Sequence, residues 1–194
     1  MVSKSDSQAT LKFLPLTKNR WADFEELFGP RGACAGCWCM YWRLTRSEFT
    51  EGQGESNRRA MKAIVESREV PGILAYSGGK PVGWCSVAPR EKYLSLERSP
   101  VLKRLDDRPV WSIVCLFIAR GYRRMGIAEA IIRGAVDYAR THGGKVVEAY
   151  PTRPRGKRLA LISSYMGVPV MFKRVGFVEC ARPSEAKVIM RYHV

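Results

Sequence analysis

The chain has 194 residues and a formal net charge of +15, with 46% hydrophobic and 26% charged residues. That length suits one compact domain with a sizeable core, and no apolar run reaches the ~18 residues that a membrane span needs. Residues 1–8 read as a polar lead-in without the apolar centre of a secretory signal, so the expectation is a cytoplasmic protein whose residues 9–194 form one domain and which touches no membrane. The charge draws polyanions, either nucleic acid or a phosphorylated small molecule, and spacing has to choose between them.

In chain order, residues 9–16 read as a first strand, and Thr17 opens a helix whose Trp21, Phe24, Leu27 and Phe28 recur at helical spacing. Gly29-Pro30 stops it. A cysteine- and aromatic-rich stretch, 34–43, precedes a polar loop and a helix over 57–67. Strands are expected at 72–76 and 81–87, joined by the hairpin signal Ser77-Gly78-Gly79-Lys80. Residues 110–118 are nearly all apolar, as in a strand buried on both faces. Residues 126–141 make an amphipathic helix with Ile127, Ile131, Ile132, Ala135, Val136 and Ala139 along one stripe. A strand at 145–149, a basic loop holding Arg153, Arg155, Lys157 and Arg158, a helix at 168–175 and strands at 177–181 and 187–192 complete the chain. The order predicts an α/β (α+β) layered fold with a mixed sheet and helices on its faces.

The segment Arg123-Arg124-Met125-Gly126-Ile127-Ala128 lies between the buried strand and the strongest helix. The first N–H groups of a helix lack internal partners and carry partial positive charge. Gly126 lets a ligand approach the backbone, and Arg120, Arg123 and Arg124 surround it, so a pyrophosphate suits the place. The dinucleotide pattern G-x-G-x-x-G and the P-loop are both absent. A plain strand–turn–helix corner with solvated arginines is the alternative.

Arg123-x-x-Gly126-x-Ala128 resembles motif A of the GNAT superfamily of N-acetyltransferases, [QR]-x-x-G-x-[GA]. Cys115-Leu116-Phe117-Ile118 resembles that family's fourth strand, and Met171-Phe172-Lys173-Arg174-Val175-Gly176-Phe177 resembles its F-Y-x-x-x-G-F ending. The resemblance spans about residues 9–192 and implies a mostly antiparallel sheet of about seven strands with about four helices. It implies transfer of an acetyl group from acetyl-CoA to a primary amine, with acetyl-CoA as co-substrate and no metal. The amides around Arg124, Met125, Gly126, Ile127 and Ala128 would then hold the pyrophosphate beside Arg123, and the backbone of Phe117 and Ile118 would pair with the pantetheine arm. Glu148 resembles the glutamate that serves as base in members acetylating ribosomal-protein N-termini; a salt bridge to an arginine is the other reading of a carboxylate on an apolar strand. The family's tyrosine acid is replaced by Phe172, which can pack beside the cofactor, leaving Tyr165 or Tyr150 to supply a hydroxyl, or the CoA thiolate, a fair leaving group, to depart without a protein donor.

Cys34-Ala35-Gly36-Cys37-Trp38-Cys39-Met40-Tyr41-Trp42-Arg43 is the least ordinary stretch, and its C-W-C-M-Y-W-R part is similar to one in a bacterial GNAT subgroup of largely unassigned substrate. It falls where the family borders its acceptor pocket. Trp38, Cys39 and Tyr41 would wall that pocket and Arg43 would hold an acidic group, unless the stretch is a core plug. A zinc site is disfavoured because a closed structural site takes four ligands and neither histidine, His142 nor His193, is near in sequence. Cys85 and Cys115, on apolar strands, read as small core residues rather than acylated nucleophiles. Two other functions stay open: acetylation of charged tRNA, which the charge favours and Phe172 disfavours, and acyl-CoA binding without catalysis. The resemblance leaves the acceptor and the oligomeric state open, although dimers are common in the family.

Overall fold

A computed structural model describes residues 10–154 and 165–194. The lead-in at 1–8 and the Arg155, Lys157 and Arg158 part of the basic loop lie outside the described residues. Seven strands form one sheet: β1 (Lys12–Pro15), β2 (Ile73–Ser77), β3 (Lys80–Pro89), β4 (Trp111–Ile118), β5 (Val146–Ala149), β6 (Val178–Ala181) and β7 (Ile189–His193), in the order β1-β2-β3-β4-β5-β7-β6. Every neighbouring pair is antiparallel except β4 and β5. Gly78 (φ +56°) and Gly79 (φ +81°) supply the two left-handed residues that a tight hairpin between β2 and β3 requires.

There are six helices among the described residues where the sequence suggested about four: α1 (Trp21–Phe28), α2 (Arg46–Glu51), α3 (Glu55–Glu66), α4 (Leu94–Glu97), α5 (Ile127–Thr141) and α6 (Pro169–Val175). The two additions have a physical reason. No residue of α2 is buried, so it writes no apolar stripe into the sequence; a reciprocal cap holds it instead, with the Thr45 N–H donating to the Glu48 carboxylate at 2.9 Å. The single turn α4 is anchored by buried Leu96 beside Tyr93.

Helices cover both faces of the sheet. The stripe of α5 packs with Phe172 and Val175 of α6 against Ile73, Val82, Val87, Ile113 and Val147 on one face. The other face carries α1 and α3, whose Phe24, Phe28, Met61 and Val65 meet Leu74, Tyr76 and Trp84. Each large aliphatic side chain buried in this way contributes about 1.5–3 kcal/mol, which is why the strongly patterned segments are held firmly.

One irregularity shapes the middle of the sheet. Ser86 faces Cys115 while Val87 faces Ile113, so Val114 is an extra residue in β4. Val114 and Cys115 therefore both point to the α1 side. Pairing of β4 with β5 stops at Ile113–Ala149, and the two parallel strands part beyond it. The Leu116 N–H donates instead to the Tyr165 carbonyl at 2.6 Å.

Candidate active site

The turn between β4 and α5 is built from backbone. A short 3-10 turn, Arg120–Tyr122, follows β4, and Arg124 takes a left-handed φ of +64°. Gly126, the cap residue of α5, is left-handed at φ +77° with no side chain capping the helix, and a Cβ there would meet nothing within 4 Å. Among the described residues no backbone carbonyl accepts from the amides of Ile127, Ala128 or Glu129. The Glu129 carboxylate is bound to Arg174 of α6 at 2.9 Å. Arg123 closes the turn by donating Nε to the Ile118 carbonyl at 3.0 Å. Arg120, Arg123, Arg124 and Met125 are all exposed, Met125 at 60%. Open backbone, three free amides and three arginines fit a diphosphate.

The edge of β4 beyond the parting runs from this turn toward the sheet centre. The Ala119 N–H donates to the Val82 carbonyl, so Ala119 and Phe117 turn their backbone groups to β3. Leu116 and Ile118 turn theirs toward the gap. Ile118 lies at the open edge, with its carbonyl accepting from Arg123, whereas the Phe117 backbone is engaged with Trp84. Phe172 is fully buried beneath the gap, its ring 5.2 Å from Phe177 and close to Gly167 and Leu116.

Tyr165 stands at the gap on the α1 side. Its ring is 6.1 Å from that of Tyr41, and Cys115 and Cys37 are among its close neighbours. Burial, with Tyr41 adding to it, keeps its phenol protonated by pushing the pKa up. Tyr41 is half-buried and meets Trp42 and Phe49 edge-on.

Glu148 and Tyr150 lie elsewhere in the scheme. Glu148 is 0% exposed. Its Oε1 accepts from Arg90 Nη1 at 3.0 Å and from the Tyr150 hydroxyl at 2.7 Å, and its Oε2 accepts from Arg191 Nε at 2.8 Å. Tyr150 is equally buried, takes a bond from Arg90 at 2.9 Å and shares one with Ser112 at 2.8 Å. Burial and the Glu148 carboxylate push its phenol pKa well up. Arg191 also grips Asp106, and Arg90 grips Glu97. The salt-bridge reading of Glu148 matches this geometry.

The residues expected on the acceptor side are mostly buried. Arg43 is buried inside the protein: it donates Nη1 to Glu69 at 2.8 Å and Nη2 to the Pro71 carbonyl at 3.4 Å, and it lies 4.9 Å over the Tyr93 ring. Its Nε is buried without a partner. Trp38 is buried, stacked on Phe28 at 5.8 Å and Trp21 at 6.5 Å, and its edge lines a groove beside α1 and α3. Cys39 is buried too, accepting the Trp84 indole N–H at 3.2 Å. Sequence reasoning missed Arg90, Trp84 and Lys187. Lys187 is half-buried and donates to Thr152 Oγ1 at 2.7 Å, burial lowering its pKa.

Among the described residues no group of three or more His, Cys, Asp or Glu is arranged to hold a metal, and no helix is long and apolar enough to cross a membrane. A groove of about 680 Å³ opens beside α1 and α3, where Glu25 and Glu55 are both paired with Arg58; it shares no lining residue with the turn or the gap.

The comparisons with known proteins bear on the family and the fold. The model of the acetyltransferase (GNAT) family matches residues 38–162. The chain belongs to that family. The PaiA N-acetyltransferase of Thermoplasma acidophilum, solved in complex with coenzyme A, is similar in fold at a TM-score of 0.54 and 11% identity, covering 95% of this chain and 99% of its own. A GNAT-family acetyltransferase of Streptococcus agalactiae is similar at 0.55 and 14%, covering 95% of each chain. A protein from Corynebacterium glutamicum described as histone acetyltransferase HPA2 and related acetyltransferase is similar at 0.55 and 16%, covering 93% of this chain and 94% of its own. No curated protein matches in sequence.

Proposed function

We propose that residues 9–194 act as one N-acetyltransferase domain that moves an acetyl group from acetyl-CoA to a primary amine by direct attack. The single observation that carries this is the uncapped, arginine-flanked N-terminus of α5 opening at Gly126 beside the free edge of β4. Acetyl-CoA supplies an activated thioester; everything else falls to this chain. The amides of Ile127, Ala128 and Glu129 bind the diphosphate, with Arg120, Arg123 and Arg124 screening its charge. The Ile118 N–H aligns a pantetheine carbonyl along the open edge of β4. This path directs the thioester to the parted strands, where Tyr165 and Cys115 stand on the α1 side and the amine approaches.

Tyr165 serves as the proton donor to the leaving sulfur, replacing the hydroxyl that Phe172 lacks. Its partial burial at the gap supports this over Tyr150, whose hydroxyl is enclosed by Arg90, Glu148 and Ser112. Glu148 is a structural anchor in this scheme, because two arginines and a tyrosine occupy both of its oxygens. Tyr41 borders the acceptor site. The stretch Cys37-Trp38-Cys39-Met40-Tyr41-Trp42-Arg43 carries the assignment to the bacterial subgroup that shares it.

The test is a panel of small amines, amino acids, aminoglycosides, peptides and charged tRNA with acetyl-CoA, read by free thiol release and product mass. The expected result is amine-dependent release of CoA with one acetyl group gained by a primary amine. Acetyl-CoA binding without transfer to any amine overturns the proposal, and selective transfer to charged tRNA redirects it.

A further inference from the structure

An amine that attacks a thioester has to lose a proton, and the carboxylates packed on the α1 side of the gap are not free to take it. Glu69 is held by Arg43 and Lys92, Glu97 by Arg90 and Arg104, and Glu148 by Arg90 and Arg191. What this face does hold is sulfur. The extra residue in β4 turns Cys115 toward α1 at the point where β4 and β5 part, and Cys115 stays partly exposed. Cys39 packs in the same cluster behind it.

Cys39 is held in place by unusual means. Trp38 and Cys39 both sit in left-handed conformations, at φ +45° and +60°, which residues other than glycine rarely adopt. The conformation delivers Sγ to the indole N–H of fully buried Trp84 at 3.2 Å. An indole only donates, so the sulfur has to accept, and a thiolate accepts better than a thiol.

We propose that Cys115 and Cys39 together take the proton from the attacking amine, Cys115 as the catalytic residue at the gap and Cys39 as the group acting through it. The idea rests on the acetyl-transfer reading above. As the amine nitrogen bonds to the carbonyl carbon, its proton passes to the Cys115 sulfur while the Cys115 S–H proton passes to the Cys39 thiolate. When the carbon–sulfur bond breaks, Tyr165 gives its phenolic proton to the departing sulfur. The proton on Cys39 then returns through Cys115 to the Tyr165 oxygen, so amide and free thiol form with no proton left over.

The electrical setting agrees. Facing Cys39 are Cys115 from β4; Cys85, Trp84 and Ser86 from β3; Tyr93 from before α4; and Cys37 and Arg43 from its own loop. The Cys115 thiol, then Trp84, Ser86 and the Arg43 charge, lower Cys39 to about 7 against its burial. Burial raises Cys37 to about 11 and Cys85 well above the usual thiol range, and Cys115 is raised by its bond to Cys39 and by burial.

The test pairs an ultraviolet thiolate titration of the full chain with the pH profile of kcat/KM, using acetyl-CoA and the most active amine of the panel. The wild-type protein is expected to show one thiolate forming near pH 7, absent in Cys39→Ser, with a rate limb at the same pH. Cys39→Ser and Cys115→Ala are expected to lower kcat/KM on the order of 10²-fold. Trp84→Phe keeps the ring and removes the donor, so it should move thiolate and rate limb upward together. If no thiolate forms below about pH 8.5, or if the limb persists in Cys39→Ser, the thiol pair is overturned while acetyl transfer stands. A thiolate near pH 7 without turnover of any amine overturns acetyl transfer and this role with it.

Discussion

The carboxylate cluster on β5 and the turn before α5 are both rich in arginine, and they use it in opposite ways. Around Glu148 every donor and acceptor named above has a partner inside the protein: Arg90 reaches Glu148, Glu97, Tyr150 and the Leu96 and Leu102 carbonyls, and Arg191 reaches Glu148 and Asp106. At Gly126 the amides of α5 and the exposed arginines beside them point outward. A satisfied polar network fixes strand positions; an unsatisfied one leaves donors open to a charged partner. Both are conspicuous in sequence, one as a carboxylate on an apolar strand and the other as R-x-x-G-x-A, yet only partner geometry separates them.

The largest expected effect strikes the closed cluster. Glu148→Ala leaves two buried guanidinium groups without their shared carboxylate, and breaking such a pair costs about 3–5 kcal/mol. A large fall in the urea midpoint is expected, with the same loss in Glu148→Gln. If Glu148→Gln instead keeps wild-type stability and abolishes turnover, Glu148 is the base and the contrast drawn here collapses. The next effect belongs to the gap. Tyr165→Phe is expected to lower kcat by roughly 10²-fold, as removal of a positioned acid does, while KM for acetyl-CoA and the thermal midpoint stay near wild type. An unchanged kcat removes Tyr165 from the chemistry.

How much of this was legible follows from range. The hairpin glycines, the stripe of α5 and the R-x-x-G-x-A turn are local patterns, in which a few neighbouring residues state the whole physical requirement. The seven strands followed from such patterns, within a few residues at their ends. The partners of Glu148 sit 58 and 43 residues away at Arg90 and Arg191, and Trp84 sits 45 residues from Cys39. No spacing rule reaches that far. Arg43 looked available because Glu69 is 26 residues distant. Which backbone groups of Phe117 and Ile118 face the gap was not legible either, since it depends on the sheet register around Val114.

Gly126→Glu probes the open region with a smaller effect. The site has room for a side chain, but the left-handed φ of +77° makes any other residue strained, by about 1–2 kcal/mol. The added carboxylate also meets the diphosphate. Acetyl-CoA affinity should fall at least about tenfold, equal to about 1.4 kcal/mol, as read by calorimetric titration, while the β5 cluster and the far-ultraviolet spectrum remain intact. Unchanged affinity would place the cofactor elsewhere and remove the distinction between the two arginine-rich regions.

The smallest effect tests the outer rim of the closed cluster. Asp106 takes two bonds from Arg191, at 2.6 and 3.1 Å, and these hold its carboxyl at about 2, below the ordinary 3.8. A depressed folded-state pKa means that the unfolded chain binds the proton more readily. Asp106 therefore contributes its full stabilisation above pH of about 4, and loses it as the pH falls toward 2. The thermal midpoint should decline through that window, and Asp106→Asn should flatten the decline without shifting the neutral-pH rate of acetyl transfer. Asp106 is a third exposed and open to salt screening, so the slope should also weaken at high ionic strength. The buried Arg191–Glu148 contact behind it should not. A decline that persists undiminished in Asp106→Asn assigns the acid sensitivity to carboxylates deeper in the cluster, and the boundary between rim and interior then moves inward past Arg191.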